Sequence, residues 1–398
     1  MSFILKYLQG LLHFHLKHLI AGSNDEFTTI SGHYSLKTTT LKKEKLAAEL
    51  ESACQKNNGA LTFAEYLAID QFGTNGYHSN NKYHGEQKKS KYWGEALAKY
   101  CIDNNIFNII DFGPGNGDLG IYALKYGNRI KKEFSWNGIE INENLRTTIE
   151  KKFKKEKLIS QLRHLTSRLD DLPIDRKSAV IFSFSLDNLP PEMLINTAKK
   201  LSFPTAVLGI TIHKNILQEV ILTNEQLKQK NISLKNGIFT DSKKQSFDLS
   251  AWKLSYLQRA CVPLQAATTL TSFTKRLAKG SVILIIDEFS PIPYHAHNKH
   301  LNFPKDLMAY WRYFEDMNEL YKTSGNNLLY FPTYADSYLK VLKSLGYSNI
   351  ELEFENEMLN KLAKNTILKP TRNLCMAITG VKKQLIKFPV TLGAYSSL

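Results

Sequence analysis

The sequence predicts an α/β fold: a doubly wound, mostly parallel sheet with an N-terminal helical region and an inserted hairpin and helical segment. Three observations carry this. From residue 107 onward, apolar runs of strand length alternate with helical patterns. A glycine-rich turn, "NIIDFGPGNGDLG" (108–120), closes the first of those runs, where such sheets bind ligands. A polar stretch rich in Lys, Gln and Ser, from about 213 to 265, then interrupts the alternation and reads as short hairpins.

In chain order, "MSFILKYLQGLLHFHLKHLIAG" (1–22) has no acid before Asp25 and predicts an amphipathic helix, packed on the domain or anchored to a membrane or partner. Leu41, Leu46, Ala47 and Leu50 share one side of a helix predicted over 39–54. Thr62 and Glu65 have the capping-box spacing at the start of a helix over 62–72. A turn-rich stretch (73–90) precedes a helix over 91–105. Strands are expected at 107–112, 134–141, 178–185, 205–212 and 281–289, with helices at 141–158 and 193–201. A late helix (303–323) and a final unit (334–354, then 373–381) close the chain. The division expected is an N-terminal extension, 1–58, and one domain, 59–398, with a helical cap at 59–105 and an insertion at about 213–275.

The composition, 43% hydrophobic and 22% charged, is that of a globular chain without an apolar run long enough to span a membrane. A net charge of +15 is concentrated in "KKSK" (88–91), "RIKK" (129–132) and "EKKFKKEK" (150–157); it permits a nucleic-acid or acidic-membrane partner, although such runs are commonly solvated helix faces. Four cysteines lie far apart with no C-x-x-C pair, which argues against a zinc ribbon or disulfide framework and points to a reducing, cytoplasmic compartment. Two histidine groups, His13, His15 and His18, and His295, His297 and His300, have no nearby carboxylate or cysteine and are expected to be surface residues, so no metal is expected.

Two spacings compete in the glycine turn. Gly115, Gly117 and Gly120, with Glu140 further on, match a dinucleotide fingerprint, whereas Asp111, Gly113, Gly115 and Gly117 match the acidic turn that holds S-adenosylmethionine (SAM). Charge decides between them. Asp111 would repel a pyrophosphate, but it attracts the sulfonium and ammonium of SAM. The candidate cofactor residues are therefore Asp111, Gly113, Pro114, Gly115, Asn116 and Gly117, with Glu140 placed to accept from ribose hydroxyls.

The stretches around this turn resemble the MidA-like methyltransferases, a Rossmann-like class I family whose mitochondrial members are arginine methyltransferases that help assemble respiratory complex I. The resemblance rests on "GALTFAEYLAIDQFGTNGYHS" (59–79), "GEALAKY" (94–100), "IIDFGPGNGDL" (109–119), "RLDDLP" (168–173), "FSFSLDNLPPE" (182–192) and "LAKGSVILIIDEF" (277–289). It implies SAM-dependent methyl transfer to a protein side chain or other bulky acceptor, an adenine-binding loop at Leu169, Asp170 and Asp171, and candidate catalytic carboxylates Asp187 and Asp336. It also makes the mitochondrion the expected compartment in a eukaryote, while the Lys-, Asn- and Ile-rich composition points to a bacterium.

This chain departs from the family pattern where the acceptor would be handled. "GEQKKSKYW" (85–93) is shorter and more basic than the family loop, Ser183 and Phe184 replace an Asn-Glu pair, and Tyr334 replaces a His in "PTYAD" (332–336). The lost glutamate weakens the case for a guanidinium acceptor. Two alternatives therefore stand beside the enzyme: a SAM-binding or scaffold protein acting through partners, and a nucleic-acid-directed methyltransferase or binding protein. The aromatics Tyr310, Trp311, Tyr313 and Phe314 suit a packed helix face or a wall of the acceptor pocket.

Overall fold

A computed structural model describes residues 36–80, 89–186, 188–250, 254, 256–257, 259–290, 321, 324–325, 333–364, 375–383 and 390–391. Helices α1 (Glu44–Lys56), α2 (Phe63–Phe72) and α3 (Ser90–Asp103) lead in, with one further helical turn at Tyr77–Asn80. At α2 the expected capping box is formed, with Thr62 Oγ1 accepting from the Glu65 N–H at 3.1 Å and Glu65 Oε2 accepting from the Thr62 N–H at 2.7 Å.

The central sheet contains β1 (Asn108–Phe112), β2 (Ser135–Ile139), β3 (Leu162–Thr166), β4 (Ala179–Ser183), β5 (Val282–Ser290), β6 (Tyr347–Phe354) and β7 (Cys375–Lys382). Their spatial order is β3-β2-β1-β4-β5-β7-β6. β1 to β5 run parallel, while β7 is antiparallel to both of its neighbours. Strand order reverses between β1 and β4, which opens a crevice at their carboxyl ends. Thr333–Tyr334 extends this end by pairing with Phe289 and Ser290.

Helices cover both faces: α4 (Asp118–Arg129) and α5 (Glu143–Lys155) follow β1 and β2, α6 (Leu264–Arg276) precedes β5, and α7 (Ala335–Ser344) and α8 (Glu355–Ala363) flank β6. One apolar cluster includes Trp93, Trp136, Phe153 and Leu359, a second includes Phe182, Phe273, Leu342 and Ile285, and a third joins α1 and α2 to the strand Ala206–His213 through Leu46, Phe63, Tyr66 and Leu208. The inner strands β1 and β4 are buried on both sides, which explains their continuous apolar runs, whereas the edge strand β3 is partly exposed.

A second, antiparallel sheet corrects three expectations. The 205–212 run does form a strand, Ala206–His213, but outside the parallel sheet, because the two-residue turn Lys214–Asn215 (φ +47° and +63°) folds it directly against Ile216–Ile221. The helix expected at 193–201 is instead the strand Glu192–Ile195, paired with Arg259–Val262, followed by a turn. Asn196 makes that turn, its side chain accepting from the Ala198 N–H and donating to the Lys200 and Leu254 carbonyls. The helix expected from residue 39 starts at Glu44, because the β-branched Thr38–Thr40 pairs as a strand with Ile216–Gln218.

This sheet encloses a buried ion pair. Glu219, fully buried, binds Arg259 through both carboxylate oxygens (3.0 and 2.5 Å) and accepts from the Tyr321 hydroxyl (2.8 Å) and the Lys37 N–H (2.7 Å). A small third sheet joins Ser233–Lys235, Ile238–Thr240 and Ser246–Asp248 to Val390–Thr391, so the hairpins expected in the insertion are present.

The N-terminal helix, both histidine groups, the aromatic helix at 303–323 except Tyr321, and Asp187 lie outside the described residues. Among the described residues no cluster of His, Cys, Asp or Glu could hold a metal ion, and no helix is long and apolar enough to cross a membrane.

Candidate active site

The turn after β1 winds through three glycines of left-handed backbone, Gly113, Gly115 and Gly117, with φ of +68°, +57° and +78°. Side chains rarely adopt this conformation, which accounts for the alternate-glycine spacing. At Gly113 space adds a second constraint: a Cβ there would sit 2.8 Å from that of Ser185, beyond the end of β4. The turn is closed by a Gly117 N–H to Pro114 carbonyl bond (2.9 Å) and anchored by Gly113 N–H to the Ile139 carbonyl (2.9 Å). Asn116 Oδ1 accepts from the Asp118 N–H, a side-chain turn that leads into α4, whose N-cap is Gly117. Gly120 has another role, because a Cβ there would meet Trp136 Nε1 at 2.3 Å; it admits the indole against the helix.

Two buried carboxylates face this turn. Glu140, at the end of β2, accepts from the Asn142 N–H through Oε1 (2.9 Å) and from the Gly115 N–H through Oε2 (3.2 Å). Its pKa is raised chiefly by burial, offset by these N–H donors and by Arg146. Asp111 is only 1% exposed, and among the described residues neither of its carboxylate oxygens closes a hydrogen bond. Burial drives its pKa up to about 7; the nearby Trp136 indole lowers it in part and the charge of Glu140 adds to the rise. The Ser185 hydroxyl, beside Gly113, is likewise buried without a hydrogen-bond partner among the described residues.

Buried polar groups are nearly always paired, so Asp111 and Ser185 leave hydrogen-bonding capacity open to a ligand at this turn. A cation is what two adjacent carboxylates favour, and a pyrophosphate is what they oppose. The SAM inventory, with a positive methionine end and ribose hydroxyls, therefore fits Asp111, Ser185, Glu140 and the glycine turn. Motif spacing did not reveal Ser185; only packing brings it onto Gly113.

The 169–171 loop lies just past β3, at the same end of the sheet, as a single 3-10 turn. Leu169 is partly buried, packed against the apolar core, whereas the Asp170 and Asp171 side chains are exposed. Arg276, ending α6, fastens this loop by donating to the Leu169 carbonyl (2.6 Å) and to the Leu172 carbonyl. No local signal identified Arg276, since its target is over a hundred residues away in sequence.

On the acceptor side, Ser183 ends β4, and Phe184 adopts φ +49°, its N–H bonded to the Ile286 carbonyl (2.8 Å). A left-handed aromatic residue is strained, and such strain concentrates at functional sites. Asp336 is the second residue of α7, immediately after the two-residue strand that prolongs the carboxyl end of β5. The basic stretch before α3 has a structural use: Lys89 pairs with Glu355 and donates to Asn356 (2.7 Å), and Trp93 Nε1 donates to Glu355 (2.9 Å).

Residues 93–298, just over half the chain, match the model of a family described as S-adenosyl-L-methionine-dependent methyltransferases. No curated protein matches the chain. Two solved structures from Burkholderia thailandensis resemble it, each with a TM-score of 0.56 and 13% identity. One, an uncharacterised protein, covers 85% of this chain and 92% of its own; the other, a superfamily member bound to S-adenosyl-homocysteine, covers 86% of this chain and 94% of its own. At that identity the likeness bears on the fold, which is that of class I methyltransferases.

Proposed function

Because the chain belongs to this family of S-adenosyl-L-methionine-dependent methyltransferases, we propose that it transfers the methyl group to a protein side chain or another bulky acceptor. One observation carries the cofactor side of this reading: the buried Asp111 carboxylate, unpartnered among the described residues and backed by Glu140. When bound, SAM supplies an electrophilic methyl on a sulfonium. The protein's own residues bind, orient and exclude water. Asp111 presents negative charge to the cationic end, Glu140 offers its remaining lone pairs to hydroxyls, and Arg276 holds the 169–172 loop.

For the acceptor we place Asp187 and Asp336 as the carboxylates that orient it or take its proton. Supporting this is the position of Asp336 just past the carboxyl end of β5. Residues 183–186, Ser-Phe-Ser-Leu, provide no charge, which favours a neutral acceptor atom over a guanidinium. The same absence supports a second reading, a SAM-binding scaffold without transfer. The unpaired, buried thiols of Cys54 and Cys101 suit a reducing compartment, and we assign the enzyme to the cytoplasm.

The test is transfer of label from methyl-labelled SAM into cell lysate, with Gly115→Asp as control and protease or nuclease digestion of the labelled fraction. Protease-sensitive label that Gly115→Asp abolishes is the expected result. SAM binding without label transfer would establish the scaffold, and nuclease-sensitive label would make nucleic acid the acceptor.

A further inference from the structure

β3 forms one edge of the central sheet, and between it and α5 lies a surface depression of about 480 Å³. Its floor is apolar, made by Leu162 and Leu165 of the strand and by Ile159, which is 49% exposed. Its rim is basic, with Lys151 and Lys154 from α5 and Arg163 from the strand; Glu150 is the one acid in the lining. The surroundings share this sign, since residues 125–168 hold twelve Lys and Arg against five Asp and Glu, a net of seven of the chain's fifteen positive charges.

Neither common explanation accounts for the whole arrangement. Lysines in the last turn of a helix complement its dipole, and basic residues on an edge strand discourage stray strand addition. A protected edge, however, does not border an open apolar floor with a half-exposed isoleucine. A groove between an edge strand and a helix is instead the geometry that receives an extended peptide, whose backbone bonds to the strand while alternate side chains fill the floor. We propose that this groove docks an extended, acidic segment of a partner protein as a further strand beside β3.

The chemistry favours peptide over nucleic acid. The lining contains no aromatic ring on which bases could stack, and the exposed strand edge offers main-chain groups that match a peptide backbone. A five-residue strand gives about 17 Å of edge, enough for a segment of similar length. β3 runs toward the Leu169–Asp171 loop, so a docked partner is led to the cofactor end of the sheet. The inference rests on the groove alone and holds whatever the acceptor is.

The test uses the full chain and fluorescence anisotropy with three labelled probes: a twelve-residue peptide of alternating Glu and Val, the same peptide interrupted by two prolines, and a twelve-nucleotide oligouridylate. The alternating peptide should bind, and the proline-interrupted one should bind at least about tenfold more weakly, because it cannot form the ladder. Lys151→Glu combined with Arg163→Glu should weaken the alternating peptide by about tenfold or more, with thermal stability and SAM affinity unchanged. Amide exchange at 162–166 should slow on binding. The proposal fails if the alternating peptide does not bind, if the proline-interrupted peptide binds equally, if the charge reversals leave affinity within twofold, or if only the oligouridylate binds.

Discussion

Asp111→Asn separates a functional carboxylate from a structural one, because the two roles predict opposite signs. The Asn keeps the shape but removes the charge that a bound cation would meet, so SAM affinity measured by calorimetry should fall by roughly 10- to 100-fold, the range of a charged hydrogen bond. The ligand-free protein should not lose stability, since the wild-type carboxylate is buried without a hydrogen-bond partner among the described residues. A drop in both would show that Asp111 is structural. Gly113→Ala tests the turn: left-handed backbone and the 2.8 Å approach to Ser185 should cost about 1–3 kcal/mol and abolish SAM binding. Adding Ser185→Gly should recover the steric part alone, leaving the backbone strain, as a double-mutant cycle would reveal. Asp111 and the glycines were legible in sequence because their spacing is local. Ser185 and Arg276 were not, because each meets its partner only through the packing of distant segments.

At the scale of elements, the two expectations that failed within 193–213 have different causes: the apolar spacing of 193–201 suits a strand as well as a helix, and Asn196 ends it as a strand. Apolar periodicity identifies a strand without saying which sheet receives it, and the hairpin at Lys214–Asn215 settles that choice. The resulting sheet closes over Glu219 and Arg259, which are 0% and 11% exposed by side chain. Arg259→Met should destabilise the fold by about 3–5 kcal/mol in urea denaturation, because it leaves the glutamate buried without its cation. The double replacement of Arg259 and Glu219 by Met should recover much of that loss. SAM affinity should stay constant in both, since this pair belongs to the second sheet; a parallel loss of binding would show that the sheets are coupled.

For the whole molecule, pH dependence follows from its buried acids. Asp111 and Glu192 are raised by burial to about 7, and Asp70 to about 6. In each case the folded state holds its proton where the unfolded chain has released it, so stability falls as pH rises from about 4 to about 7. His78, lowered by burial to about 4, contributes the opposite slope over about 4 to 6.5. Glu140, also raised by burial, has the same sign as these acids, so with four carboxylates against one histidine the Tm of the ligand-free protein should decline from pH 5 to 7 and then level. SAM selects ionised Asp111, so its dissociation constant should shrink as pH rises through about 7, and the Tm shift at fixed SAM should grow. A Tm that climbs steadily over that range, or a pH-independent SAM affinity, contradicts this assignment.

The amino-acid sequence by itself determined the fold class, the strand-turn-helix of the candidate site, and the sign of charge at its mouth. These follow from periodicity and from residues within about thirty positions of one another, where spacing stands in for geometry. The tertiary structure alone decided that Ala206–His213 leaves the parallel sheet, that Ser185 lies on Gly113, that Arg276 fastens the 169–172 loop, and that the basic residues of α5 frame a groove beside an edge strand. The reason is physical: hydrophobic burial is non-directional, so an apolar pattern commits a segment to the interior, and only the competition among packed neighbours assigns it a partner.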